Sequence, residues 1–222
     1  MNKGKVLITG TSSGIGRDTA ILFCEKGYEV IGLDIEESAI AYENYTHYVC
    51  DVGKKEQLPD IDNIEYLINN AGTIEEEKSL ESNLMGYINV AEKYGFNDAI
   101  KSIVNVGSIS GIVGLDTPIY AASQGGRISY TKNLAIRITK KYKIPVNCVA
   151  FGAVLTGLEP KLYAHQELVD AVANENLLNK WIQPDEAAEW VYFVSVKNKS
   201  MTGQVILIDN GEQAKYNFIE SR

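Results

Sequence analysis

The sequence predicts an α/β protein: a doubly wound, seven-stranded parallel sheet flanked by helices. Seven short runs rich in β-branched and apolar residues alternate with longer stretches of helical periodicity. Several of these runs are almost wholly apolar, which is typical of parallel strands buried on both faces. A length of 222 residues suits one hydrophobic core, so we predict a single domain over residues 1–222.

The predicted elements follow the chain in strand–helix order. The strands are Val6–Thr9, Val30–Leu33, His47–Cys50, Tyr66–Ile68, Ile103–Val106, Val146–Val149 and Val205–Ile208. The helices are predicted over 14–27, 80–94, 118–140, 166–178 and 184–195. Gly27 suits the position after a helix, and Pro118 and Pro184 suit a first turn. The second helix is predicted to bury the face that carries Leu80, Leu84, Tyr87, Ile88 and Ala91.

Composition argues against several classes of function. The chain has 29 acidic and 21 basic residues and a formal net charge of -8, so we expect no nucleic-acid partner. No apolar run approaches the roughly 20 residues that cross a bilayer, and none resembles a signal-peptide core. We therefore expect no membrane association and a cytoplasmic location. The 3 cysteines are widely separated and predict neither a disulfide framework nor a metal site.

A glycine-rich segment joins the first predicted strand to the first predicted helix. Small residues let the backbone approach a pyrophosphate, and the helix N-terminus behind them offers free N–H groups. The same spacing also occurs in turns that bind no ligand. The residues predicted to contact a dinucleotide here are Gly10, Ser12, Ser13, Gly14, Ile15 and Gly16.

Asp34 favours the dinucleotide interpretation. It lies 18 residues after Gly16, at the end of the second strand, where an acid can accept hydrogen bonds from ribose hydroxyls. The alternative is an ordinary turn residue at a strand end. Because Asp34 would repel a 2′-phosphate, and the other predicted contact, Ile35, brings no positive charge, we expect NAD rather than NADP. Arg17 is the one nearby cation.

Further motifs follow at the ends of the predicted elements. They are Asp51-Val52, Asn69-Asn70-Ala71-Gly72, Asn83, Ser108 in Val106-Gly107-Ser108, Tyr120 in Tyr120-Ala121-Ala122-Ser123, and Thr202-Gly203-Gln204 before the strand that leads to Gly211. Together with the glycine-rich loop, they resemble the short-chain dehydrogenase/reductase family over residues 5–211. The resemblance implies a Rossmann-type fold.

The resemblance also implies roles for individual residues. Tyr120 would exchange a proton with the substrate oxygen, Ser108 would hydrogen-bond that oxygen, and Asn83 would hold a water in a proton relay. The further cofactor contacts it implies are Asp51, Val52, Asn70, Ala71, Gly72, Tyr120, Gln124, Gly152, Val154 and Thr156. It implies no metal ligand.

Three departures from the family pattern bear on activity. Gln124 stands where the family has a lysine that binds the nicotinamide ribose and stabilises the tyrosine phenolate. Glutamine can bind the ribose but carries no charge, and a cation about 5 Å from a phenolate is worth roughly 3 kcal/mol at an effective dielectric near 20. Arg127 lies one turn further and is not expected to replace it. Phe151 replaces a proline, and the segment between Gly72 and Asn83 is short.

These observations leave two functions open. The first is an NAD(H)-dependent oxidoreductase that interconverts a small alcohol and its ketone or aldehyde, with activity reduced by Gln124. The second is a cofactor-binding but catalytically impaired protein that acts as a sensor or scaffold.

Two further regions of the chain have predicted roles. Residues 157–182 are predicted to form a substrate lid, and the acidic run Glu75–Glu77 a solvated face or loop. The resemblance implies a homo-tetramer or homo-dimer that pairs through the helices at 80–94 and 118–140.

Overall fold

Seven strands form one sheet in the computed structural model, which describes residues 3–114, 117–157 and 164–214. They are β1 (Lys5–Thr9), β2 (Glu29–Asp34), β3 (Tyr45–Val49), β4 (Tyr66–Asn69), β5 (Ser102–Ser108), β6 (Val146–Phe151) and β7 (Val205–Ile208). Their order across the sheet is β3-β2-β1-β4-β5-β6-β7, and every pairing is parallel. The predicted doubly wound, seven-stranded parallel sheet is confirmed. The strand order reverses between β1 and β4, and in such sheets the crevice at that point binds ligands.

The helices of the described residues cover both faces of the sheet. They are α1 (Gly14–Glu25), α2 (Glu76–Ser79), α3 (Gly86–Tyr94), α4 (Ser110–Val113), α5 (Pro118–Tyr142), α6 (Gln166–Ala173) and α7 (Pro184–Tyr192). None of these helices has both the length and the hydropathy that a membrane span requires. The helix predicted over 166–178 ends at Ala173. In the predicted lid, Leu158, Leu162 and Tyr163 lie outside the described residues.

Two apolar clusters hold the layers together. Phe23 of α1 and Val191 of α7 pack with β1, β2 and β6 on one face, whereas Val90 of α3 and Leu134 of α5 pack against the other. These four side chains are at most 1% exposed. Burying each stabilises the fold by about 1.5–3 kcal/mol. The clusters fix α1, α3 and α5 against the sheet, and so fix the carboxyl ends of β1, β4 and β5 relative to one another.

A π-helical turn, Leu80–Met85, joins α2 to α3 and changes which residues face the core. Leu80, predicted to be buried, is 49% exposed, whereas Asn83 is fully buried. A π-turn adds a residue to the helical repeat, so a face extrapolated backwards from Tyr87 at 3.6 residues per turn is wrong by one position. The prediction holds for Tyr87 and Ala91, which follow the turn and are buried.

Candidate active site

The glycine-rich loop between β1 and α1 lies close against the end of β4. Gly10 (φ +74°) and Gly14 (φ +53°) adopt the left-handed region that favours glycine. A Cβ on Gly10 would lie 2.8 Å from the Ala71 Cα, and one on Gly16 would overlap the Gly10 carbonyl oxygen. Ser13 caps α1 in an extended conformation without a side-chain cap bond. The first N–H groups of α1 are therefore available to an anionic ligand.

Asp34 closes the outer end of this loop. One oxygen, Oδ2, accepts the Ser12 N–H at 2.8 Å, and Oδ1 accepts the Glu36 N–H at 3.0 Å. The Ser12 hydroxyl donates to the Glu36 carbonyl at 3.0 Å. Asp34 thus fixes the loop to the end of β2, and the backbone of Ser12 and its hydroxyl serve this junction.

Hydrogen bonds between β1 and β4 fix the centre of the site. The Thr9 hydroxyl accepts the N–H groups of Asn70 and Ala71, each at 2.9 Å. The Asn70 amide donates in return to the carbonyls of Thr9 and Gly10, at 3.0 and 3.2 Å. The predicted Asn70 and Ala71 therefore hold the loop in place and border the crevice.

A cavity of about 390 Å³ lies over these strand ends. The predicted residues that line it are Gly10, Ser13, Gly14, Ile15, Asp34, Ile35, Asp51, Val52, Asn70, Ala71, Gly72, Tyr120, Gln124 and Thr156. Cys50 also lines it, and burial together with the negative charges of Asp51 and Asp34 raises its pKa to about 11. The Cys50 thiol is therefore neutral near pH 7.

Six predicted site residues do not line the cavity: Ser12, Gly16, Asn83, Ser108, Gly152 and Val154. Gly16 lies beneath the Gly10 carbonyl. Gly152 and Val154 shape the loop after β6: the Gly152 N–H donates to the Ile208 carbonyl at 2.9 Å, and Val154 forms a parallel bridge with Ile182.

The polar side chains of Asn83 and Ser108 are bonded within the protein. Asn83 accepts the Thr73 N–H and donates to the Thr73 carbonyl, both at 2.8 Å. The Ser108 hydroxyl donates to the Ser110 hydroxyl at 3.0 Å and accepts the Ser110 N–H at 3.1 Å. Ser108 would have to turn away from Ser110 before it could donate to a substrate oxygen.

Glu76 holds the beginning of α5, where Tyr120 lies. Its carboxylate accepts the N–H of Ile119 at 2.8 Å and the N–H of Tyr120 at 3.1 Å. Pro118 opens the helix and has no N–H to satisfy, so Glu76 meets the next two donors. The prediction that the whole acidic run is solvated is therefore wrong for Glu76. Its two partners are 43 and 44 residues away, beyond the reach of local sequence patterns.

Removal of the Glu76 carboxylate is expected to loosen the first turn of α5. Glu76→Ala leaves two helix N-terminal donors without their acceptor, which costs about 0.5–2 kcal/mol. We expect a lower free energy of unfolding in urea and a lower turnover, because Tyr120 lies in that turn. Glu77→Ala is the matched control: Glu77 is the exposed neighbour, and its change should stay within about 0.5 kcal/mol. Equal stability of the two variants would contradict the role given to Glu76.

Arg127 reaches the cavity wall beside Gln124, and the two side chains are 4% and 2% exposed. Its Nη1 donates to the Gln124 Oε1 at 3.2 Å and to the Val106 carbonyl at 3.0 Å. Its Nη2 donates to the Ala71 carbonyl at 3.0 Å, and its Nε to the Asn83 carbonyl at 2.5 Å. Arg127 contacts Gln124 although it lies one turn further along the helix, because its long side chain turns back over that turn.

Comparison with known proteins gives a family for this arrangement. A family model described as Enoyl-(Acyl carrier protein) reductase matches residues 10–213. The 3-oxoacyl-(acyl-carrier-protein) reductase FabG of Thermotoga maritima is 32% identical, over 94% of this chain and 98% of its own length. The chain belongs to the short-chain dehydrogenase/reductase family. It is an oxidoreductase of the class that uses a nicotinamide dinucleotide.

Two solved structures extend the comparison to the cofactor. The chain of ElxO with NADP bound has a TM-score of 0.85 at 25% identity, with 96% of this chain and 100% of that chain covered. The chain of 4-hydroxyisoleucine dehydrogenase complexed with NADH has the same TM-score, identity and coverage. Of these two proteins with a similar fold, one thus binds NADP and the other NADH.

Proposed function

We propose that this protein is an NAD(H)-dependent oxidoreductase that interconverts a small alcohol and its ketone or aldehyde. The observation that carries the proposal is the position of Tyr120: it is half-buried and lines the same cavity as the glycine-rich loop. No hydrogen bond among the described residues uses its phenol group, so the phenol is available to a substrate oxygen. Carbonyl reduction needs a proton donor in the wall of the dinucleotide cavity, and a phenol group can serve as that donor.

The residues of the cavity fit the dinucleotide. Gly10 and Gly16 let the loop pack tightly against β4 and the start of α1. The N-terminus of α1 beside this loop could then hold a pyrophosphate. All five of these residues line the cavity: Asp34 and Glu36 would border the adenosine end, and Gly72, Tyr120 and Gln124 would border the nicotinamide end. A bound nicotinamide would supply or accept the hydride.

The protein residues then manage the proton and the substrate oxygen. In reduction, the Tyr120 O–H bond breaks and its proton goes to the carbonyl oxygen as the hydride reaches the carbonyl carbon. Ser108, once turned from Ser110, donates a hydrogen bond to the same oxygen. Asn83 holds the Thr73 backbone through two 2.8 Å hydrogen bonds. It thereby fixes the part of the cavity wall that Thr73 forms.

The reaction is tested with purified protein, NADH and a panel of small ketones and aldehydes, through the loss of NADH absorbance. Turnover that depends on both NADH and carbonyl compound supports the proposal. Tight NADH binding without turnover on any member of the panel would instead support the sensor or scaffold interpretation.

NADH is expected to bind at least about tenfold more tightly than NADPH, a difference of about 1.4 kcal/mol. Asp34 and Glu36 both line the cavity, and their negative charges would repel a 2′-phosphate. Calorimetric titration should show a smaller difference between the NADH and NADPH affinities in Asp34→Ala and in Glu36→Gln. Glu36→Gln is the cleaner variant because it keeps the backbone N–H that Glu36 donates to Asp34, whereas Asp34→Ala removes the acceptor of two backbone N–H groups. The control is Glu37→Gln, an exposed neighbour outside the cavity wall; tighter binding of NADPH by the unaltered protein would refute the assignment.

The protein is further proposed to assemble as a homo-dimer or homo-tetramer through α3 and α5. Ile136 of α5 is 63% exposed, and Met85, just before α3, is 47% exposed. Gly126 accommodates Leu84 of the same chain, so it is not available for close approach of a partner helix. Light scattering at micromolar concentration should give a mass of two or four chains, and a monomer mass would exclude this assembly.

A further inference from the structure

Arg127 is a buried cation with no carboxylate partner among the described residues. Its charge is held by the carbonyls of Ala71, Asn83 and Val106 and by the Gln124 amide oxygen. Its guanidinium also lies 3.7 Å from the ring centroid of Tyr87. A guanidinium has five N–H donors, and these contacts use four. Burying a charge without an ionic partner costs free energy. A buried arginine at a cavity wall therefore indicates a role in that cavity.

The arginine determines which way the Gln124 amide points. A guanidinium only donates, so the atom of Gln124 that faces Arg127 must be the oxygen. The NH₂ group of Gln124 is then on the opposite side of the amide. Tyr120, Gln124 and Arg127 occur at i, i+4 and i+7 on α5, and all three line the cavity. Gln124 therefore presents its N–H donors to the cavity, because the bond to Arg127 fixes the orientation of the amide.

We propose that Arg127 is the positioning residue that makes Gln124 a donor beside Tyr120 and supplies the positive charge of this part of the site. This inference rests on the proposed function, since it concerns the anion that forms when Tyr120 gives up its proton. The arginine acts through the polarised amide and through its charge, and together the two side chains supply a cation and a hydrogen-bond donor.

The other charged residues described in the cavity wall do not supply this positive charge. Asp34, Glu36 and Asp51 are acidic, and Lys78 pairs with Glu75 at 2.7 Å. Arg127 is the remaining cation of the wall among the described residues. It therefore supplies the positive charge of the wall that Tyr120 also lines.

A buried polar chain keeps the arginine in place. The Arg127 carbonyl accepts the Thr131 hydroxyl at 2.8 Å, and that hydroxyl accepts the Asn105 amide at 2.8 Å. Asn105 in turn accepts the Asn69 amide at 3.0 Å. The chain runs from β4 through β5 to α5, so the backbone of Arg127 is tied to the sheet independently of its guanidinium. Changes to the side chain alone can therefore be tested in a folded protein.

Gln124→Glu is the variant that separates the proposed role from a structural one. A carboxylate at 124 would pair with Arg127, so the fold should be at least as stable as in the unaltered protein. It would also neutralise the cation and offer no N–H donor. We expect an unchanged or higher melting temperature, NADH affinity within about fivefold, and a roughly 10- to 100-fold lower kcat at neutral pH. The rising limb of the pH profile for alcohol oxidation should move to higher pH, since it reports the group that takes the proton.

A second set of variants moves the charge along the helix. Arg127→Met should lower kcat by about the same factor. Gln124→Lys should not raise kcat, because it places an ammonium beside a buried guanidinium. The double variant Gln124→Lys/Arg127→Met carries one cation, now at 124, and should be at least about tenfold more active than Arg127→Met. Arg137→Met is the matched control on the same helix, since Arg137 pairs with Glu92 outside the cavity and should leave kcat unchanged.

The outcomes separate this inference from the proposed function. If the unaltered protein binds NADH but turns over no carbonyl compound, the proposed function fails, and with it the catalytic role of the pair. If the unaltered protein is active, then a Gln124→Glu variant with the same kcat and pH profile would overturn the inference alone. A Gln124→Lys single variant that is faster than the unaltered protein would also overturn it, because the arginine would then not supply the charge.

Discussion

Tyr120→Phe is expected to lower kcat/KM for carbonyl reduction by about 10²–10⁴-fold, the usual contribution of a positioned general acid. Phenylalanine keeps the ring in the wall of the cavity but has no proton to give to the substrate oxygen. The main-chain bonds of Tyr120 to Glu76 and Ser123 are unaffected by the change. NADH affinity and the free energy of unfolding should therefore stay near those of the unaltered protein. Steady-state kinetics measures kcat/KM, calorimetric titration measures the NADH affinity, and urea unfolding measures the free energy of unfolding.

Tyr130→Phe provides the matched control for this result. Tyr130 lies on the same helix, and its hydroxyl donates to the exposed Glu92 carboxylate at 3.2 Å. Loss of that surface bond should leave kcat/KM within about twofold, since surface changes shift stability by no more than about 0.5 kcal/mol. Residual activity of Tyr120→Phe within tenfold of the unaltered protein would remove Tyr120 from its role as proton donor.

Gly16→Ala is expected to abolish dinucleotide binding and to lower stability by several kcal/mol. A Cβ at this position would overlap the Gly10 carbonyl and would clash with the Asn70 amide nitrogen. Both are fixed parts of the loop and strand junction, so the new methyl group forces the loop away from α1. Overpacking in a close-packed region costs about 1–3 kcal/mol, and lost bonds from Asn70 add to it. The measurements are urea unfolding and titration with NADH.

The control is a glycine-to-alanine change in open space. At Gly125 of α5 the nearest atom to a new Cβ is the Gly111 carbonyl oxygen, at 3.5 Å, an ordinary contact. Gly125→Ala should therefore stabilise the helix by up to about 1 kcal/mol, through the gain in helix propensity. If Gly16→Ala bound NADH as well as Gly125→Ala does, the close packing of the loop would have no importance for the site.

The parts of the site that sequence reasoning predicted are those with a local pattern. The glycine-rich loop and Asp34 occur at fixed offsets from strand and helix ends, where the spacing itself requires small or acidic residues. The parallel sheet followed from strands without polar side chains such as Val30–Leu33, a pattern that burial on both faces explains.

The parts that were missed depend on contacts between distant segments. Arg127 is positioned by carbonyls of Ala71, Asn83 and Val106, which are 56, 44 and 21 residues away. A helical wheel of α5 places this residue near Gln124 but does not show that a charged side chain is buried there. Leu80 was misassigned for a different reason, because the hydrophobic pattern carries no sign of the π-helical turn.

The acidic segment after β4 connects the dinucleotide cavity with the first turn of α5. Glu75 lines the cavity, and the adjacent Glu76 accepts the first free N–H groups of α5. A dinucleotide that settles against this segment restrains the acceptor that holds the helix start. Linkage is reciprocal, so any change that orders the first turn of α5 strengthens dinucleotide binding by the same factor by which the dinucleotide orders that turn. We therefore expect a dinucleotide in the cavity to stabilise the first turn of α5, the turn that carries Tyr120.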